Sequence, residues 1–299
     1  MVIKAIDTVP KEELFVSGHT GCGGCGQAIA VRLVLKATGK NVIVVTATGC
    51  LETFSGGYMI SPWEVPWIHP LFENAAAVAS GVEAALKMKH REDIKVVVMA
   101  GDGGTFDIGF GMLSGMVERR HNVLYVCMDN QAYVNTGYQR SGATIYGTAT
   151  TTTPAGKVSL GKVQPKKDVP AMMIANGADY VATASPSYPW DLMRKVKKAV
   201  GIKGPTYIQV HIPCPTAHVF PESKTIEIGR IAVQTGLIPL YEVEKGKLIS
   251  SEKIAQKRPV EDYLKRLGWY KHLFVSGDGA SVVKELQRVA DENIAKFNL

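Results

Sequence analysis

No stretch of the chain is apolar enough to cross a membrane as a helix, which excludes a helical membrane anchor from this sequence. The opening residues, Met1 to Glu13, carry acids and a proline and lack the apolar core of a secretory signal, so the expectation is a cytoplasmic protein. No internal repeat is visible. Cysteine is scarce, five in 299 residues, and in a reducing compartment those few favour metal ligation or redox work over disulfides. The net charge is +7, yet no aromatics are interleaved with the lysines. Runs such as Arg194-Lys195-Val196-Lys197-Lys198 read as solvated helix faces and not as a nucleic-acid surface.

What is present is an alternation of buried strands and amphipathic helices in a chain long enough to bury a large core. Helices are expected over Gln27–Thr38, Asn74–Lys89, Ile108–Arg119, Val169–Ala175 and Pro189–Ala199. Strands are expected over Asn41–Ala47, Ile94–Ala100, Val123–Met128, Tyr180–Thr183 and Thr206–Ile212. Gly39 stands where a C-cap glycine belongs. The pattern predicts an α/β fold with a doubly wound parallel sheet over residues 1–220. Residues 131–167 break the rhythm with Thr, Gly, Ser and Tyr, and a loop of that length inside a compact domain points to function. Residues 221–299 read as a charged C-terminal arm, with a helix near Ala280–Ala295, that packs on partner subunits.

The cysteines are placed unusually. Cys22 and Cys25 lie in Gly18-His-Thr-Gly-Cys-Gly-Gly-Cys-Gly26, Cys50 in Ala47-Thr-Gly-Cys-Leu-Glu52, and Cys214 between two prolines. Thiols on irregular backbone suit a metal or an iron–sulfur cluster, because a loop can bring several sulfurs to one place. Cys127, inside an apolar strand, reads as a core thiol.

A second signature is Gly101-Asp102-Gly103-Gly104, directly after one buried strand, with Asn130 at the end of the next. Ligands of such sheets bind outside the carboxyl ends of the strands. The Asp102 carboxylate and the Asn130 amide oxygen can then share one magnesium ion with diphosphate oxygens. The flanking glycines allow backbone to approach phosphate closely. Taken singly, Asp102 could cap a helix and Asn135 could be a turn residue before Thr136-Gly137.

These motifs, together with Pro66-Trp-Ile-His69, Phe72-Glu-Asn-Ala-Ala-Ala-Val-Ala-Ser-Gly81, Asn135-Thr-Gly137, Thr150-Thr-Thr-Thr-Pro154 and Cys214-Pro-Thr216, resemble the β subunits of the 2-oxoacid:ferredoxin oxidoreductases, typified by pyruvate synthase. The resemblance covers nearly the whole chain and is weakest after residue 240. It implies a thiamine-diphosphate-binding fold. Asp102, Asn130 and the Ala132 carbonyl would hold magnesium. Asn135 would lie beside the thiazolium as the catalytic asparagine, and Gln27, Gly49 and Cys50 would line the cofactor pocket with Gly101, Gly103 and Gly104. Cys22, Cys25, Cys50 and Cys214 would hold one [4Fe–4S] cluster. The chemistry implied is attack of the thiazolium ylide on a 2-oxoacid, loss of carbon dioxide, and single-electron transfer to the cluster, with coenzyme A taking the acyl group in pyruvate-type members.

The glutamate that activates the aminopyrimidine belongs to a separate domain in this family, and the resemblance gives that role to neither Glu52 nor Glu73. An α subunit is therefore expected to supply it with most of the substrate pocket, so that this chain alone is inactive. Further clusters belong to a ferredoxin-like subunit or domain, and ferredoxin is the expected acceptor, with the basic surface as its landing site. Three segments depart from pyruvate-type relatives: Met59-Ile-Ser-Pro-Trp63, Gly142 to Ala149, and Ala217-His218. They make oxidation of oxalate to carbon dioxide, without coenzyme A, an alternative to pyruvate. A zinc- or cluster-stabilised non-catalytic subunit is the reading from another class, although the second Cys-x-x-Cys or His pair that a zinc site needs is missing.

Overall fold

The apolar runs form parallel strands whose side chains alternate between two buried faces. The computed structural model describes residues 9–275 and 279–299. Most of the stretch read above for a signal core, residues 1–8, lies outside the described residues. Strands β1 (Val42–Thr46), β2 (Trp67–Ile68), β3 (Lys95–Gly101), β4 (Val123–Asp129), β7 (Tyr180–Ala184) and β8 (Thr206–His211) belong to one sheet. With β9 (Tyr241–Glu244) and β10 (Lys247–Ser251) its order is β10-β9-β7-β8-β4-β3-β1-β2. All pairings from β7 through β2 are parallel, while β9 and β10 run antiparallel at the far edge.

Val44, Val97, Leu124 and Val126 face a core completed by helices Gly26–Thr38 and Pro189–Gly201. Val45, Val96, Val98 and Tyr125 face the opposite core, under helices Ala75–Met88, Phe110–Glu118 and Val169–Ala175. This period of two across a doubly covered sheet explains why the strands read as continuous apolar runs. Cys127 is buried in the second of these cores. Gly39 ends its helix at φ 72°, a conformation that suits glycine.

Three expectations shift. The helix expected from Ile108 is preceded by a π-helical turn, Gly103–Ile108, and itself begins at Phe110. The break falls at Gly109, where a Cβ would lie 2.2 Å from the Gly104 carbonyl. Cys50–Ser55 is a short helix, and a hairpin of β5 (Ala132–Tyr133) and β6 (Gln139–Arg140) opens the long irregular segment. Residues 221–299 fold back on their own chain: β9 and β10 extend the sheet, and helices Thr225–Gln234, Val260–Leu264 and Ala280–Phe297 close a third core that includes Ala132 and Ile145.

The antiparallel edge is locked by a buried carboxylate. Glu242, 1% exposed, accepts hydrogen bonds from Tyr180 Oη at 2.7 Å and Arg194 Nη1 at 2.7 Å. Burial pushes its pKa up, but the Tyr180 and Arg194 hydrogen bonds prevail and hold it below the ordinary 4.5. A depressed carboxylate contributes stability that is complete above its unfolded-state pKa and lost as pH falls through the folded one. Glu242→Ala, which strands the buried Tyr180 hydroxyl, is expected to cost about 2 kcal/mol in denaturant unfolding at neutral pH. The difference from the parent should shrink once the pH falls below the ordinary carboxylate range. An unchanged midpoint at neutral pH would show that the edge is held by packing alone.

Candidate functional site

Parallel strands end on the same side of the sheet, and β1, β3 and β4 are neighbours. The turns that follow them, Ala47–Cys50, Asp102–Gly104 and Asn130–Ala132, therefore meet. Between them lies a cavity of about 170 Å³. Of the residues expected at a cofactor, it is lined by Gln27, Gly49, Cys50, Gly101, Asp102, Gly103, Asn130, Ala132 and Asn135. Gly104 sits one step behind, where a Cβ would be 3.0 Å from the Phe72 carbonyl. Thr48, Phe72, Tyr133, Val134 and Thr136 also line the cavity and were not singled out from the sequence. Hollows of about 840 and 720 Å³ lie along the C-terminal helix, away from this constellation.

Asp102 is buried, 1% exposed, and its Oδ2 accepts a hydrogen bond from Ser141 Oγ at 2.5 Å. Burial, and then the nearby Asp129 carboxylate, push its pKa well above the ordinary value against the pull of Ser141 and Lys166. One terminus of the Asn130 side-chain amide stands 2.8 Å from both Asp102 Oδ1 and the Ala132 carbonyl oxygen. With nitrogen at that terminus, the amide donates to both. With oxygen there, the Asn130 amide oxygen stands about 2.8 Å from an Asp102 carboxylate oxygen and from the Ala132 carbonyl oxygen. That is close to the separation of adjacent ligands, roughly 2.9 Å, in an octahedron of ligands about 2.0–2.1 Å from magnesium. The donor set therefore fits a small divalent cation.

The wall around this set leaves no slack. A Cβ on Gly103 would stand 2.1 Å from the Tyr133 ring, and Tyr133 is held by its hydroxyl donating to Asp107 Oδ2 at 2.8 Å. The π-helical turn that carries Gly103 and Gly104 is tied by Thr105 Oγ1 donating to the Gly101 carbonyl at 2.7 Å. π-Bulges of this kind concentrate at functional sites. Ser141 and Thr144 reach the site from the irregular segment, Thr144 Oγ1 donating to the Gln131 carbonyl at 2.5 Å. Asn130 is held from behind, its carbonyl 3.0 Å from His218 Nε2, while the His218 ring stacks on Trp269 at 4.1 Å. Burial lowers the His218 pKa to about 4, so the ring is neutral near pH 7 and Nε2 carries the proton it donates.

Of the four loop cysteines, Cys50 lines the cavity. The Cys25 amide donates to the Cys22 carbonyl at 3.1 Å, closing a turn packed against residues 213–222. Side chains at Gly24 and Gly26 would collide with the Glu222 and Pro213 carbonyls, at 2.3 and 2.6 Å. Cys50 opens its helix, and Cys214 Sγ lies 3.2 Å from Thr216 Oγ1. The Cys50 thiol is pushed up to about 12 by burial and then by Cys214, Cys25, Asp102 and Cys22. Burial, Cys214 and Cys22 also raise Cys25. Both of these half-buried thiols feel Cys22 and Cys214. Among the described residues no three His, Cys, Asp or Glu side chains converge tightly enough for one metal ion.

The comparisons with known proteins agree with this geometry. The family model described as "Thiamine pyrophosphate enzyme, C-terminal TPP binding domain" matches residues 47–210. The chain is 53% identical over 293 residues to the pyruvate synthase subunit PorB of Methanosarcina barkeri, covering 98% of this chain and 99% of that protein. It is 46% identical over 273 residues to the ketoisovalerate oxidoreductase subunit VorB of Pyrococcus abyssi, covering 89% and 88%. The 2-oxoglutarate:ferredoxin oxidoreductase from Magnetococcus marinus, solved with 2-oxoglutarate, coenzyme A and succinyl-CoA bound, superposes with a TM-score of 0.60 at 29% identity over 70% of this chain and 69% of that one. With a parallel sheet of this topology, a thiamine-diphosphate-binding domain and near full-length identity of this order, the chain belongs to the β subunits of the thiamine-diphosphate-dependent 2-oxoacid:ferredoxin oxidoreductases.

Proposed function

We propose that the chain is the β subunit of a pyruvate-oxidising member, which converts pyruvate and coenzyme A to acetyl-CoA and carbon dioxide and passes the electrons to ferredoxin. The observation that carries this reading is the near full-length identity to pyruvate synthase subunits. Asp102, Asn130 and the Ala132 carbonyl would hold magnesium and, through it, the diphosphate, and the converging oxygens support that assignment. Asn135 would act at the thiazolium, and its place in the cavity lining is consistent with that role. Cys22, Cys25, Cys50 and Cys214 would hold a [4Fe–4S] cluster, supported by their shared electrostatic field. When bound, thiamine diphosphate supplies an electron sink for the carbon left by carbon dioxide, and the cluster accepts electrons singly.

Pyruvate is favoured over oxalate by the match to pyruvate synthase subunits, and three of the departing residues lie off the cavity. Ile145 packs into the C-terminal core, Thr148 Oγ1 donates to Tyr270 Oη at 2.8 Å, and Met59 is 89% exposed. None of the three lines the cavity. An α subunit is proposed to supply the pyrimidine-site glutamate and most of the substrate pocket, and a ferredoxin-like subunit the further clusters. Residues 221–299 are proposed to face partner subunits at the β10 edge of the sheet, where Leu248 and Ile249 are exposed. The cytoplasm is the proposed compartment, and no described helix is long and apolar enough to cross a membrane.

Viologen reduction by the oxygen-free complex is expected with pyruvate and coenzyme A, and reduction by oxalate alone would reverse the substrate assignment. Asp102→Ala should weaken magnesium-dependent thiamine diphosphate binding by more than about 100-fold, beyond what loss of an outer-shell partner costs; calorimetry showing normal binding would remove Asp102 from the ligand set. Cys50→Ser should lower the iron content and brown absorbance of the complex while leaving its circular dichroism intact. Full iron retention would take Cys50 off the cluster.

A further inference from the structure

Three parallel rings lead along the β2 edge to the mouth of the cofactor cavity. Trp63 stacks on Trp67 at 5.7 Å and 7°, and Trp67 stacks on His69 at 6.3 Å and 9°. The first two rings are pinned by their indole nitrogens. Trp63 Nε1 donates to Ser55 Oγ at 3.0 Å, and Trp67 Nε1 donates to Thr46 Oγ1 at 2.8 Å. The stack therefore fixes the plane of the His69 imidazole. In that plane Nε2 lies 2.9 Å from Thr48 Oγ1, and Nδ1 lies at ion-pair distance, 3.8 Å, from Glu52 Oε1. Thr48 is itself part of the cavity lining, whereas His69 is 37% exposed. A hydroxyl at the cavity and a part-exposed imidazole within hydrogen-bond distance behind it make a path from the site to solvent.

We propose that Thr48 and His69 form a proton relay for the cofactor cavity. The inference rests on the pyruvate reading above. Pyruvate anion and a thiol yield an acyl thioester, carbon dioxide, two electrons and one proton. The carboxylate C–C bond and the S–H bond break and an S–C bond forms. The electrons leave for the acceptor, and the proton must leave the cavity by another route. In the relay, the Thr48 hydroxyl takes the sulfur proton as its own proton passes to His69 Nε2. The resulting imidazolium gives a proton to water at its exposed edge. The path requires the neutral ring to carry its proton on Nδ1. His69 acts through Thr48 and is a positioning residue in this scheme.

The test uses the complete complex. Positioned proton transfer contributes about 10²–10⁴-fold to a rate. Thioester formation from pyruvate and coenzyme A is expected to fall at least about 100-fold in His69→Gln and in Thr48→Val, and to stay within about twofold in Thr48→Ser. The burst of electrons released from pyruvate without thiol should change by less than about twofold in His69→Gln, because it precedes thiol deprotonation. Added imidazole should restore part of the His69→Gln loss, and the Thr48→Val/His69→Gln double variant should be no slower than the worse single one, as expected of groups that work as a unit. The ¹⁵N spectrum of the histidine-labelled subunit in the cofactor-free complex, assigned by comparison with His69→Gln, should show the Nδ1-protonated tautomer. An unaffected His69→Gln variant, an equal loss of the thiol-free burst without imidazole rescue, or the Nε2-protonated tautomer would each overturn the relay while leaving the pyruvate reading in place. An unsubstituted complex that oxidises no pyruvate would overturn both.

Discussion

A carboxylate buried at the end of a parallel strand is the constraint around which the site is arranged. Asp102 cannot carry charge cheaply there: burial and the Asp129 carboxylate both oppose it. Its neighbours are of two kinds. Ser141 donates a hydrogen bond, and Asn130 and Ala132 bring groups that can turn oxygen toward the same point. That mixture suits the cation proposed for this site, whose charge would invert the local balance. Gly103 and the π-helical turn then follow as necessities, since any side chain at Gly103 would occupy the Tyr133 ring.

The two halves of the site are mechanically joined. His218 follows the Cys214 turn by four residues and hydrogen-bonds the Asn130 carbonyl, so one neutral imidazole bridges the cysteine side and the oxygen side. The stack on Trp269 draws the C-terminal layer into the same contact. A displacement of any one of the three would be felt by the other two, because a packed interior relaxes little. The C-terminal segment is in this sense part of the site's support as well as an extension of the sheet.

Much of this was legible before the structure. Asp102 and Asn130 stood out because a strand–helix–strand unit brings successive strand ends together, and spacing alone conveys that. The loop cysteines stood out because glycines and prolines around a thiol are unusual for core filler. Other features depend on contacts that spacing does not encode. The break at Gly109 comes from a close approach to the Gly104 carbonyl. β9 and β10 are short, partly polar segments that become strands only against the open edge of β7. His218 was visible only as a change of residue, and its tautomer and its bond to Asn130 are properties of the fold. Thr48 and His69 are far apart in sequence and meet because β2 lies beside β1.

The packing of Gly26 against the Pro213 carbonyl has a consequence for synthesis. The turn bearing Cys22 and Cys25 leaves the ribosome first, and its seat, the turn at Cys214, is made much later. At about 5–20 residues per second, the Cys25 thiol waits roughly 10–40 s before the surface that half-buries it exists. During that interval it is an ordinary exposed thiol, open to oxygen and to adventitious metals. The most delicate step in making this subunit therefore precedes any catalysis and is set by the order in which the chain emerges.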